Sequence, residues 1–280
     1  MGRLRGAIAA AVTPLAIGGE ALDTGSFEPL VRHLAAGGID GLLACGTTGE
    51  GVLLTVDERR RVAERFLEVR PDGFQVAVHA GAQTTRDTVA LAAHARDVGA
   101  DAVAVIAPPY FPLGAPEVFD HLRAAATACD PVPFYVYEFA PRSGYPIPVD
   151  VIERLRLDVP NVVGMKVSDR PFDAVEPYLL EGLDVFVGSE PLVRAGMERG
   201  AVGAVSGLAN AWPETVAALV HQHSPEAHLR VTELRQRLEG IPFHGALKQV
   251  LVDQRVLRHG DVRPPLRSLT VEERTAVSAL

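Results

Sequence analysis

The chain has 280 residues, 48% of them hydrophobic and 22% charged, enough for one large core or two modest ones. The net charge is -8 and no lysine/arginine-rich block stands out, which argues against nucleic acid as a partner. No apolar run approaches the ~18 residues that would span a membrane, and the two cysteines, Cys45 and Cys129, form no CxxC pair, so the expectation is a cytoplasmic protein in a reducing compartment.

Met1 to Arg5 lead into an apolar run over residues 7–12 and then Thr13-Pro14, the pattern of a first strand more than of a secretory signal peptide. Similar runs, each ending in small, polar or Gly/Pro residues, recur at 41–45, 74–79, 102–107, 132–137, 162–167, 185–187 and 201–205. Helical patterns lie between most of them, at 27–36, 57–69 (with Thr55 or Asp57 as N-cap), 85–98, 115–128 and 148–157. Strand and helix alternating in this way is the βαβ signature. Eight such strands predict a (β/α)8 TIM barrel, a fold that typically needs ~250 residues. An open doubly wound sheet would need a Gly-rich phosphate loop after the first strand, and Thr13-Pro14-Leu15 supplies none. Beyond Asn210 residues 212–223, 225–239 and 243–256, and the end from 271, read as helices with no further strand. The predicted organisation is a catalytic barrel over 1–210 and a C-terminal helical extension over 211–280.

The sixth strand carries a lysine. Residues 162–167 read Val-Val-Gly-Met-Lys-Val, a run that would be buried on both faces of a parallel sheet. Lysine is rarely buried without a partner, and an unpaired ammonium in an apolar interior tends to give up its proton. A neutral amine there is a nucleophile able to form a Schiff base with a ketone. A lysine that snorkels to solvent at a strand end is the competing reading. Only two lysines occur, Lys166 and Lys248.

In a barrel the chemistry sits at the C-terminal ends of the strands. After the second strand stands Gly46-Thr47-Thr48-Gly49-Glu50, small enough for a ligand to approach the backbone, with hydroxyls suited to a carboxylate. The fourth strand is followed by Pro108-Pro109-Tyr110-Phe111 and the fifth by Tyr137-Glu138-Phe139-Ala140-Pro141-Arg142-Ser143-Gly144. The seventh ends in Gly188-Ser189-Glu190 and the eighth near Val205-Ser206-Gly207. Each stretch alone could be a turn, a cap or a core side chain. His221, His223 and His228 have metal-like spacing but fall in the helical extension, where they read as a solvated helix end, and no metal site is predicted.

Together Lys166, GTTGE, the tyrosine–arginine segment and the Pro-Pro-Tyr loop resemble the dihydrodipicolinate synthase / N-acetylneuraminate lyase family of pyruvate-handling class I aldolases. The resemblance covers nearly the whole chain. It implies that Lys166 is the Schiff-base lysine and that Thr47 and Thr48 hold the carboxylate of pyruvate, with Thr48 also in a proton relay. It makes Tyr137 the acid/base beside the imine and Tyr110 a relay tyrosine reaching a neighbouring subunit's site. Gly188 and Val205 would line the pocket, and Arg142 would bind the carboxylate of an aldehyde substrate. It further implies no metal or organic cofactor and a homotetramer built from dimers. The activity so implied is condensation of pyruvate with aspartate semialdehyde, a 4-hydroxy-tetrahydrodipicolinate synthase-like reaction. The alternatives are a 2-keto-3-deoxy sugar-acid aldolase or dehydratase, or a lyase of the N-acetylneuraminate type, on the same imine; a metal-dependent hydrolase or a non-catalytic binding protein would be a different class. The family's Tyr-Asn-x-Pro-x-Arg-Thr-Gly is altered here, with Glu138 in place of asparagine. Glu138 could pair with Arg142, four residues on, and leave a site for uncharged hydroxyls. Gly51, Val52, Val56 and Pro109 stand where lysine-inhibited synthases carry polar and tyrosine side chains.

Overall fold

The computed structural model describes residues 2–280. Eight parallel strands close into one barrel in sequence order, β1 pairing with β8. They are β1 (Gly6–Ala10), β2 (Gly41–Ala44), β3 (Gln75–His79), β4 (Ala102–Ile106), β5 (Phe134–Glu138), β6 (Val162–Val167), β7 (Asp184–Val187) and β8 (Gly203–Ser206). Every strand residue except Gly6, Gln75, Ile106 and Val163 is buried. This is why the strands read as continuous apolar runs rather than alternating ones. The fifth strand runs one residue past the predicted end, so that Glu138 pairs with Val167.

The helices are α1 (Phe27–Ala36), α2 (Val56–Val69), α3 (Thr85–Asp97), α4 (Ala115–Ala128), the single turn α5 (Ala140–Ser143), α6 (Val149–Asp158), α7 (Val193–Glu198), α8 (Pro213–His221), α9 (Pro225–Arg237), α10 (Phe243–Asp253) and α11 (Val271–Ser278). Thr55, not Asp57, caps α2: its hydroxyl accepts from Glu58 N–H while the Glu58 carboxylate accepts from Thr55 N–H. Such a box is worth about 1 kcal/mol. Between β6 and β7 the connection is two 3-10 turns, Phe172–Ala174 and Glu176–Tyr178, rather than a full helix.

Two shells of apolar side chains hold the barrel. Inside, Ile8, Leu43, Tyr135, Phe186 and several alanines fill the lower lumen. Outside, the helices bury their apolar stripes on the strands. α8 lies against β1, α9 against the turn after β7, and α10 against the turn after β8. The last two therefore stand over the C-terminal ends of the strands and bring the end of the chain to the rim of the barrel.

Candidate active site

Lys166 reaches the lumen through a register shift. Phe134 pairs with Val162, but Tyr135 pairs with Gly164, so Val163 is skipped. Without that bulge Tyr137 would face Met165; with it Tyr137 stands opposite Lys166. Gly164 permits the arrangement, since a Cβ there would lie 2.5 Å from the Tyr135 ring. On the other side of β6 the partner of Lys166 is Phe186. Lys166 is 6% exposed, its Nζ lies 3.8 Å from the centroid of the Tyr137 ring, and it makes no ion pair among the described residues. It opens onto a cavity of about 470 Å3 at the C-terminal end of the barrel, within the size range of small-molecule sites.

The same cavity is lined by Thr47, Thr48, Tyr137, Arg142, Gly188 and Val205. Tyr137 is fully buried, and its phenol oxygen is 3.1 Å from Thr47 Oγ1. The hydroxyl that meets the Tyr137 phenol is thus that of Thr47, not Thr48. Thr48 is buried on the side of Gly207, where an added Cβ would lie 3.4 Å from its hydroxyl. The GTTGE loop is fastened from behind. Thr13 Oγ1 donates to Gly49 O at 2.6 Å, and Glu50 sits in the left-handed region at φ 57°. Gly51 admits no side chain, because a Cβ would fall 1.8 Å from Cys45 O. Gly188 is equally constrained: a Cβ would meet Ser168 Oγ at 2.0 Å and Lys166 Cε at 3.2 Å.

Tyr110 is elsewhere. It is 84% exposed on the loop after β4, at φ 88°, edge-on to Phe111, and it does not line the cavity. One chain alone does not bring it to Lys166. The suggested pairing of Glu138 with Arg142 is overturned. Glu138 is fully buried, its Oε2 accepts from Ile147 N at 2.9 Å, and its carboxyl neighbours that of Asp169. Because β5 ends with Glu138 inside the barrel wall, that side chain cannot reach Arg142, which is exposed at the rim beside the Phe139 ring.

Several lining residues had no signal in the sequence. Phe243 and His244 of α10 and Thr232 and Arg235 of α9 close one side of the cavity, and Ser168 and Arg170 come from the loop after β6. His244 Nε2 is 2.9 Å from Thr47 O, and burial pulls its imidazole below the ordinary histidine range. Arg235 lies across the Phe243 ring and 3.4 Å from Glu190, whose other oxygen accepts from Ser206 Oγ and Leu208 N. Behind Tyr137, His79 is held with Nδ1 toward Cys45 O and Nε2 accepting from Ile106 N. Burial, with Arg59 and Lys166 nearby, pushes it down to about 3, so it is a neutral wall at ordinary pH. His221 lies 2.9 Å from Asp40 Oδ2. No three His, Cys, Asp or Glu side chains come together to hold a metal among the described residues, and none of their helices is long and apolar enough to cross a membrane.

A closed parallel barrel with a buried lysine, a tyrosine and a threonine hydroxyl around a cavity at the strand ends defines a class of TIM-barrel protein whose site lies at that face. The model of the dihydrodipicolinate synthetase family matches residues 3–280, and the chain belongs to that family. An uncharacterized DapA-like lyase of Halobacterium salinarum is 32% identical over 93% of this chain and 88% of its own length. A 4-hydroxy-tetrahydrodipicolinate synthase of Thermus thermophilus is 32% identical over 96% of this chain and 93% of its own. The N-acetylneuraminate lyase of Proteus mirabilis superposes with a TM-score of 0.89 at 28% identity, covering 99% of this chain and 97% of the other.

Proposed function

We propose that this protein is a lyase that forms a Schiff base between Lys166 and pyruvate and joins the resulting enamine to an aldehyde, aspartate semialdehyde being the substrate the site suits best. The observation that carries this reading is the place of Lys166, a buried amine without a carboxylate partner, 3.8 Å above the Tyr137 ring and open to the cavity. In this reading the carboxylate of pyruvate lies on the Thr47–Thr48 loop. Lys166 Nζ attacks C2, and Tyr137 passes protons to and from the carbinolamine oxygen, its phenol linked to Thr47 Oγ1. Loss of water leaves the imine, and removal of a C3 proton gives the enamine, the imine nitrogen accepting the electron pair. The enamine carbon then adds to the aldehyde, and water releases the product from Lys166. The lysine is itself the electron sink, so the scheme requires no metal or organic cofactor.

Arg142 at the rim supports an acidic aldehyde, since a guanidinium fork suits a carboxylate. The neutral hydrogen-bonding groups of Ser168, Ser189, Thr232 and Gln236 around the same cavity favour the second reading, a 2-keto-3-deoxy sugar acid on the same imine. Exposed Tyr110, Phe111 and Val52 support an assembly in which Tyr110 completes the site of a partner subunit, a homotetramer of paired dimers being the form proposed. Turnover of pyruvate with aspartate semialdehyde, compared with polyhydroxy aldehydes by product mass, tests the choice. Preference for the semialdehyde supports the synthase reading, and preference for a polyhydroxy aldehyde replaces it with the sugar-acid one.

A further inference from the structure

Two buried carboxyls meet beside the active site. Glu138 is the last residue of β5, next to Tyr137; Asp169 follows β6, three residues after Lys166. Glu138 is 0% and Asp169 5% exposed, and each carboxyl is the other's neighbour. Two buried carboxyls side by side cannot both ionise cheaply, which favours one proton held between them. Glu138 Oε1 is buried and receives no N–H or O–H from any described residue, which leaves it free for the shared proton. No arginine, lysine or histidine pairs with either carboxyl among the described residues. The titratable groups that face the pair are phenols, Tyr145 from the following segment and Tyr178 from the turn after β6.

The remaining oxygens of the pair grip one stretch of backbone at its two ends. Asp169 Oδ1 accepts from Ala140 N at 2.9 Å, and Glu138 Oε2 accepts from Ile147 N at 2.9 Å. Between these points lies α5 with Arg142, tied further by Tyr145 to Pro108 O and by Tyr178 to Ile147 O. Arg142 has no ion-pair partner among the described residues, so its position depends on this stretch of backbone. We propose that Glu138 and Asp169, holding one proton between them, are positioning residues that clasp both ends of the 140–147 segment and so set where Arg142 meets the second substrate. The part concerning substrate rests on the lysine-imine reading above; the clasp itself does not.

The device has a pH limit. Burial, with Asp169 adding to it, pushes Glu138 up to about 8, and burial also raises Asp169. A carboxyl whose folded pKa is raised stabilises the clasp at low pH and loses that contribution as pH rises toward about 8. Above this two adjacent carboxylates without a counter-cation repel each other, and one end of the segment loosens.

The test compares wild type with Glu138→Gln at pH 7 and pH 9. Glutamine keeps an oxygen for Ile147 N–H and donates an N–H to Asp169, but has no proton to lose. Hydrogen–deuterium exchange of the peptide spanning 139–147, corrected for the intrinsic pH dependence, should rise about tenfold in wild type, one decade past the titration, and stay level in Glu138→Gln. The KM for aspartate semialdehyde should follow the same pattern, while borohydride capture of the pyruvate imine stays equal in the two proteins. If Glu138→Gln fails to fold, Asp169→Asn serves, since it accepts from Ala140 N–H and donates to an ionised Glu138. A pH-independent segment in wild type, or the same rise in the variant, overturns the clasp. Absence of any imine overturns the lysine reading and leaves the exchange result to judge the clasp.

Discussion

The protein has two lysines, and both are buried, yet they live in opposite circumstances. Lys248 of α10 is 0% exposed, with Glu50 at 2.6 Å and Asp261 O at 2.8 Å. Burial draws its ammonium below the usual lysine range and Glu50 opposes that shift. Lys166 is 6% exposed, in the wall of a cavity, with an aromatic face beneath it and no carboxylate. Burial alone therefore does not mark a reactive amine. What differs is the partner and the access: Lys248 is spent on a dry ion pair, and Lys166 has an open face and the Tyr137 ring beside it. The pair also explains the placement of the site. Glu50 closes the GTTGE loop, and through Lys248 and Arg263 N, which it accepts from at 2.6 Å, it joins that loop to the end of the chain.

The sharpest way to break the comparison is to remove each amine in turn. Lys166→Ala should lower turnover by on the order of 10^4 or more, because nothing else in the cavity can form the imine. Full activity in that variant sinks the mechanism. Lys248→Met should leave imine formation intact in the folded protein but cost about 3–5 kcal/mol of stability by urea unfolding, since Glu50 is stranded in a dry site. Adding Glu50→Leu should recover much of the loss; a silent Lys248→Met would mean that the ion pair holds nothing together. A smaller effect is expected from Gly188→Ala, whose methyl would press on Ser168 and on the Lys166 side chain. Misplacing the amine by about 1 Å lowers kcat/KM on the order of 100-fold, with little change in folding. Wild-type kinetics there would show that Lys166 has room to spare. Least in magnitude is Arg142→Ala. Its guanidinium is exposed, so its loss should raise the KM for an acidic aldehyde by about 5- to 10-fold, on the order of 1 kcal/mol, and leave pyruvate capture unchanged. Equal use of the acidic aldehyde by this variant would favour the sugar-acid reading.

The barrel was legible because parallel strands covered on both faces leave uninterrupted apolar runs, and a lysine inside one such run is conspicuous. That Thr47, Tyr137 and Gly188 line the cavity was legible because the strand ends of this fold open onto it. Three things were not. The bulge that puts Lys166 opposite Tyr137 depends on pairing between strands, and no local pattern records it. Arg235, Phe243 and His244 reach the cavity only because α9 and α10 fold over the rim, which a helical periodicity does not reveal. Glu138 was misjudged because sequence spacing places it four residues from Arg142, whereas the end of β5 turns its side chain into the wall toward Asp169.

Borohydride reduction in the presence of pyruvate, followed by peptide mass mapping, tests the difference between the two lysines directly. One pyruvate-derived mass on the peptide that contains Lys166, none on the peptide that contains Lys248, and no label in Lys166→Ala is the result predicted. Label on Lys248, or no label on a correctly folded wild-type protein, would contradict it.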